Sequence, residues 1–138
     1  MKKFRTVALL LTLAVAVSCG GYKGKGSPLA PDQVQISDMA TALMNDAVAL
    51  KQSAPDAFKE SMESFADATA KFQNLCLRLG SNSLEARKAF DQVLFIDAQI
   101  RQSPELEKQA EFNTRWQELR KNRLNEIAKR LGYRPEKD

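Results

Sequence analysis

The chain contains no histidine, two cysteines and a single tryptophan. Without an imidazole it cannot form a Ser-His-Asp or Cys-His catalytic site, a histidine-ligated haem or a zinc site that uses histidine. Two cysteines are too few for a four-cysteine zinc site or an iron–sulfur cluster. The sequence also has no P-loop, nucleophile elbow or glycine-rich phosphate-binding loop. It therefore predicts neither an enzyme nor a bound metal or cofactor.

Glycine and proline are scarce, and their positions divide the chain. Four of the six glycines lie between residues 20 and 26, and two of the five prolines follow them, Pro28 and Pro31. A stretch of this composition buries little apolar surface, so residues 20–31 are predicted to be a flexible linker with an r.m.s. span of roughly 20 Å. The remaining glycines and prolines lie at the boundaries of helical patterns from residue 32 onward.

The first nineteen residues have the organisation of an export signal. Three basic residues precede an apolar run over residues 7–17, which spans roughly 16 Å as a helix, about half of a bilayer core. This length is typical of a secretory signal and too short for a transmembrane helix. Small residues follow, and Cys19 comes directly after Ser18.

This segment resembles the signal peptide and lipobox of bacterial lipoproteins, except that Ala16 stands where that family usually has leucine. The resemblance implies that residues 1–18 are cleaved off and that Cys19 carries a diacylglycerol and an acylated amine. Residues 19–31 would then be the lipidated cysteine and its tether. The alternative is ordinary signal cleavage that leaves a free Cys19.

Removal of this segment changes the charge of the protein. The whole chain has 21 basic and 17 acidic residues, which gives a net charge of +4. Three of the basic residues lie in residues 1–18, so the remainder has 18 basic and 17 acidic residues and a net charge of +1. The basic character therefore belongs largely to the export signal, and overall charge gives no support for nucleic-acid binding.

Apolar residues from residue 32 onward recur at intervals of three and four, which predicts four helices over residues 32–52, about 56–79, about 83–102 and about 104–131. Helix 2, for example, has a stripe from Phe58 to Leu79, and Asn82 with Glu85 forms a capping box for helix 3. Sustained period-two alternation is absent, so no strand is expected. The short connections predict an all-α fold, an antiparallel up-down four-helix bundle over residues 32–138. The alternative is a three-helix or hairpin unit that completes its core by dimerising.

A few side chains are candidates for more than packing. Cys76 lies on the apolar stripe of helix 2, which favours a buried and inert thiol over a redox site. Asp97 lies beside the apolar face of helix 3 with Arg101 four residues later, which predicts an ion pair; a buried functional acid is the other interpretation. Trp116 is expected in the core, with an interface groove as the alternative.

The charges are unevenly distributed, and the C-terminal part of helix 4 is basic. Its cations suit the helix dipole and a solvated surface, which is the simpler interpretation. The functional interpretation is a basic tip that binds an acidic partner, formed by Arg120, Lys121, Arg123, Arg130 and Arg134, with Trp116 nearby.

Together these features predict a non-enzymatic helical interaction or scaffold module of the bacterial cell envelope. It would be held to a membrane through the lipid on Cys19, on the periplasmic face, with another envelope protein as its partner. The alternative function is a periplasmic small-ligand or metal carrier that uses the interior of the bundle. The sequence does not decide between inner and outer membrane, nor does it give the oligomeric state.

Overall fold

The structure is a computed structural model that describes residues 31–133, and all regular structure in this range is helical. A π-helical turn over Arg120–Leu124 connects the last two α-helices, so they form one fourth helix. Short 3-10 turns at Asp56–Phe58 and Pro104–Lys108 precede the second and the fourth helix. The predicted all-α fold with four helices is confirmed. The α-helices are α1 Pro31–Gln52, α2 Lys59–Leu79, α3 Leu84–Arg101, α4 Ala110–Leu119 and α5 Asn125–Arg130.

Two glycines end helices, as their positions in the sequence predict. Gly80 follows α2 with φ 88°, and Gly132 follows α5 with φ 87°, a region that residues with a side chain rarely adopt. After α5 the N–H of Tyr133 donates to the carbonyl of Ala128 at 2.8 Å, and the N–H of Gly132 donates to that of Lys129 at 3.1 Å. This pair of hydrogen bonds is a Schellman motif, which turns Tyr133 back onto the domain.

Three details of the predicted helices are wrong. The N-cap of α3 is Ser83, whose Oγ accepts a hydrogen bond from the N–H of Ala86 at 3.1 Å, and not Asn82. Helix 4 is not continuous from residue 104, because Gln109 has φ −114° and ψ 69° and separates a 3-10 turn from α4. Leu79 is exposed rather than buried, since it is the last residue of α2, next to the turn at Gly80.

The interior is formed by the apolar stripes of all four helices. Aromatic rings from α2 contact rings from the fourth helix and α3, with centroid distances of 4.8 Å for Phe65 and Trp116 and 4.9 Å for Phe72 and Phe90. The Phe58 ring stacks on Phe112 at 4.9 Å. A fully buried side chain of this kind contributes about 1.5–3 kcal/mol to the free energy of unfolding. Packing of these rings therefore positions the fourth helix against α2.

Contacts between the helices show which of them are neighbours. α1 packs against α2 and against the fourth helix, and α2 packs against α3. Within residues 31–133, no helix is both long enough and apolar enough to cross a membrane.

We expect Cys76 to be unreactive while the protein is folded. Burial raises the pKa of its thiol from 9.0 to about 11, so the neutral form predominates in the folded state. Labelling by a thiol reagent at pH 8 should therefore be limited by unfolding and accelerate in urea. Because the unfolded thiol ionises first, this group should also lower the free energy of unfolding as the pH rises from about 9 to about 11. Labelling of the native protein as fast as a Leu84→Cys variant would contradict this burial.

Candidate functional site

Three charged side chains meet inside the domain, between α3 and the fourth helix. Asp97 Oδ2 accepts a hydrogen bond from Nε of Arg101 at 3.0 Å, and Asp97 Oδ1 lies 2.9 Å from Nε of Arg120. Asp97 is 2% exposed and Arg120 is 4% exposed, whereas Arg101 reaches the surface. The predicted Asp97–Arg101 ion pair is confirmed. The second partner, Arg120, was placed on the basic surface by the sequence analysis and lies in the interior instead.

The π-helical turn explains how Arg120 and its neighbours are arranged. Arg120 follows Trp116 by four residues, so it shares the inward face of α4. The N–H of Asn125 then donates to the carbonyl of Arg120, five residues earlier, which adds one residue to the turn. This extra residue moves Arg123 to the surface and returns Leu124 to the core. The spacing of five between the buried Leu119 and Leu124 is the sequence pattern that marks the turn.

The electrostatics of this cluster are those of a compensated buried charge. Burial is the strongest influence and raises the pKa of Asp97 above its usual value, while the guanidinium groups of Arg120 and Arg101 act in the opposite direction. Gln117 Oε1 accepts a further hydrogen bond from Arg120 at 2.9 Å. Because the carboxyl group is enclosed and paired, we interpret the cluster as a structural connection between α3 and the fourth helix rather than as an acid that meets a substrate.

The other members of the predicted basic tip are dispersed. Arg123 forms an ion pair with Asp46 of α1 at 2.7 Å, and Arg130 donates a hydrogen bond to Gln35 of α1 at 2.6 Å. Lys121 is exposed. Arg134 and Cys19 lie outside the described residues. The cations of the fourth helix are thus largely engaged in holding that helix to its neighbours.

Trp116 is likewise absent from the candidate partner surface. Its side chain is fully buried and contacts the Phe65 ring edge-to-face, so the core interpretation applies. The carrier alternative remains a prediction, and no feature of the described core favours it.

A different surface, which the sequence analysis missed, lies between α2 and α3. A groove of about 430 Å³ opens between these helices, with apolar walls and two exposed lysines. Phe95 is 58% exposed and, seven residues after Lys88, extends the same face of α3. The pattern that marks this surface is the presence of Leu75 and Phe95 outside the buried stripes of their helices. The groove is lined by Ala68, Lys71 and Leu75 from α2 and by Glu85, Lys88, Ala89 and Gln92 from α3.

The described part of the chain contains no group of side chains suited to holding a metal ion. Between residues 31 and 133 there is no cluster of three or more cysteine, aspartate or glutamate side chains placed to hold an ion. The acids Glu60, Glu63 and Asp67 of α2 are exposed.

The chain was also compared with known proteins. No protein-family model, no curated protein and no solved structure matches it.

We expect Asp97→Asn to lower the free energy of unfolding by about 3–5 kcal/mol, because it leaves the guanidinium of Arg120 buried without its counter-charge. The matched control is Asp67→Asn on the exposed face of α2, which should change it by less than about 0.5 kcal/mol. Urea unfolding followed by circular dichroism measures both.

The double variant Asp97→Leu with Arg120→Met removes both enclosed charges together. It should recover much of the lost stability, since apolar replacement of a buried pair is often neutral. A single Asp97→Asn variant as stable as the Asp67 control would show that the ion pair does not hold the helices together.

Proposed function

We propose that the protein is a lipid-anchored helical module of the bacterial cell envelope that binds another envelope protein through the groove between α2 and α3. The observation that carries the interaction part is this groove, an apolar recess between two helices with a lysine from each. The anchoring part is supported by Cys19 after a short apolar run. Two acyl chains on one cysteine suffice for stable membrane attachment.

The groove favours a partner of definite chemistry. Its volume is that of a site for several side chains, and its direction follows two helices, which suits an amphipathic helix laid between them. Lys71 projects from α2 and Lys88 from α3, on opposite sides, so carboxylates flanking the apolar side chains of the partner would find a cation on each side. Glu85 reduces this positive charge without cancelling it. The proposed occupant is therefore an acidic amphipathic helix of an envelope protein.

The finer architecture that we propose is the antiparallel up-down bundle. Along the fourth helix, Arg115 donates a hydrogen bond to Ser53, Arg123 contacts Asp46, and Arg130 contacts Gln35. As residue numbers rise along the fourth helix, the numbers of the contacted residues fall from 53 to 46 to 35, as they do between antiparallel helices. In the ring contacts of Phe58 with Phe112 and of Phe65 with Trp116, the residue numbers of both partners increase together, as they do for helices that run in the same direction.

The anchor is tested at Cys19. We expect globomycin, which blocks lipoprotein signal cleavage, to cause accumulation of precursor, and we expect Cys19→Ala to remove the protein from the membrane fraction. Immunoblots of fractionated cells measure both, with a Cys76→Ala variant as the matched control that should remain membrane-bound. A Cys19→Ala protein that is cleaved and fractionates like the wild type would contradict the anchor.

The groove is tested by photocrosslinking in cells. A photoreactive amino acid at position 95 should yield a specific crosslink to one envelope protein, and the same group at position 107 should not. Charge reversal by Lys71→Glu with Lys88→Glu should reduce the crosslink about tenfold or more, because it places like charges against the carboxylates of the partner.

The matched control for this reversal is Lys121→Glu with Lys129→Glu on the fourth helix. Retention of the crosslink in this control, with loss in the groove variant, supports the groove. Loss in the control alone would assign the contact to the basic tip of the fourth helix instead. A position-95 crosslinker that captures nothing specific would contradict the groove as an interface.

A further inference from the structure

Exposed apolar side chains gather at the end of the domain where the chain enters from residue 30. Six large apolar side chains are exposed between residues 31 and 133, and four of them lie at this end. Val48 and Phe95, the other two, lie further along α1 and α3. The four belong to the first turn of α1, the last turn of α2 and the first residue of α3; they are Val34, Leu77, Leu79 and Leu84.

Contacts between the helices bring these ends together. Gln73, near the end of α2, donates a hydrogen bond to Thr41 in the first half of α1 at 3.2 Å. The turn over residues 80–83 joins the end of α2 directly to the beginning of α3. Arg130, at the end of the fourth helix, reaches Gln35 near the beginning of α1. The four apolar side chains therefore lie at one end of the domain, and we call the surface of this end the entry face.

Five basic and four acidic side chains lie among the described residues of the entry face. Of the acids at this end, Glu126 is in an ion pair with Lys129 at 3.1 Å, and Asp91 accepts a hydrogen bond from Tyr133 at 2.7 Å. Asp38 and Glu85 are exposed. Basic side chains at this end are the exposed Arg78, Lys88, Lys129 and Arg130 and the half-buried Arg87.

We propose that the entry face docks on the surface of an anionic lipid bilayer. Leucine and valine side chains next to lysine and arginine are the composition of surfaces that lie in the membrane interface, where the apolar groups enter the headgroup region and the cations meet lipid phosphates. The bilayer is also the surface that this end meets first, since Pro31 begins α1 here and the linker connects it to Cys19. This inference rests on the proposed lipid anchor.

Because the linker would hold the domain near the membrane, even a weak affinity of the entry face for lipid would suffice for docking. A flexible chain of twelve residues, the length of residues 20–31, would have an r.m.s. span of roughly 20 Å and would keep the entry face within about that distance of the membrane. Tethering on this scale gives an effective concentration of about millimolar, at which a surface with few apolar contacts binds for a substantial part of the time. Docking would turn the groove between α2 and α3 sideways, along the membrane surface, and restrict the orientations in which a partner meets it.

The experiment uses the full lipidated protein in protein-free vesicles. An environment-sensitive fluorophore is attached to Leu84→Cys on the entry face or, as the matched control, to Glu107→Cys at the opposite end of the helices. Native Cys76 is buried and does not compete for the label. In vesicles of phosphatidylethanolamine and phosphatidylglycerol we expect the probe at residue 84 to show a blue shift and loss of quenching by aqueous iodide. The probe at residue 107 should remain fully quenched.

A second variant separates docking from the effect of the label. With the probe at Val34→Cys, the changes Leu77→Ser, Leu79→Ser and Leu84→Ser should restore quenching, since they remove the remaining apolar side chains from an already exposed surface. Val48→Ser with Phe95→Ser is the matched control and should leave the protection intact. Replacing the anionic vesicles by phosphatidylcholine, or raising the salt concentration, should weaken protection, because screening reduces the attraction to lipid phosphates.

The outcomes distinguish this inference from the function on which it rests. A chain that is acylated at Cys19 and floats with the vesicles, but whose residue 84 is quenched like residue 107, overturns the docking and leaves the anchor standing. A chain that is neither acylated nor vesicle-bound overturns both. Protection of residue 84 in native membranes but not in protein-free vesicles would mean that a protein covers the entry face, and it too overturns the proposal.

Discussion

A buried carboxylate shared by two guanidinium groups sets the position of the fourth helix. Leaving either Asp97 or Arg120 alone in a dry interior would cost several kcal/mol, so the two side chains must meet whenever the domain is folded. Their contact fixes both the rotation and the height of the fourth helix relative to α3. Arg101 completes the neutralisation from the edge of the cluster, where it remains accessible to water.

The π-helical turn reconciles this polar contact with the apolar packing around it. A regular α-helix that placed Trp116 and Arg120 inside would also turn Arg123 toward the core. One extra residue in the turn carries Arg123 out to Asp46 and brings Leu124 inside, so that the rings before the turn and the aliphatic side chains after it face one interior. The irregularity of the helix therefore serves its packing, and no reaction has to be invoked to explain it.

The surfaces left by this packing differ in chemistry and in position. The entry face lies where the linker joins α1, and it combines exposed leucines with cations. The groove between α2 and α3 runs along the side of the domain, with apolar walls and a lysine from each helix. If the entry face rests on lipid, the groove is presented parallel to the membrane, within reach of a partner in the same membrane. The proposed anchor, docking and recognition would thus use separate residues, apart from Glu85 and Lys88, which belong to both surfaces.

The sequence by itself determined the helices and most of the core. Periodic apolar residues and the placement of glycine and proline indicated four helices, because local backbone preferences and burial act together over each segment. Finer boundaries were less accurate: Ser83 rather than Asn82 caps α3, and Gln109 interrupts the beginning of helix 4, since neighbouring polar residues compete for a cap with little difference in free energy. The lipobox and the linker can be inferred only from the sequence, as both lie outside the described residues.

Tertiary structure decided which charged and apolar residues are available to partners. Helical spacing predicted the contact of Asp97 with Arg101, because those residues are four apart, but the contact with Arg120 spans two helices and has no local pattern. For the same reason the sequence grouped cations that the fold separates: they are near in sequence, yet Arg120 is buried and Arg123 pairs with Asp46 of α1. The groove depends on how closely α2 and α3 pack, and the entry face on which helix ends meet. The hydrophobic period of a single helix determines neither the spacing between two helices nor which helix ends meet.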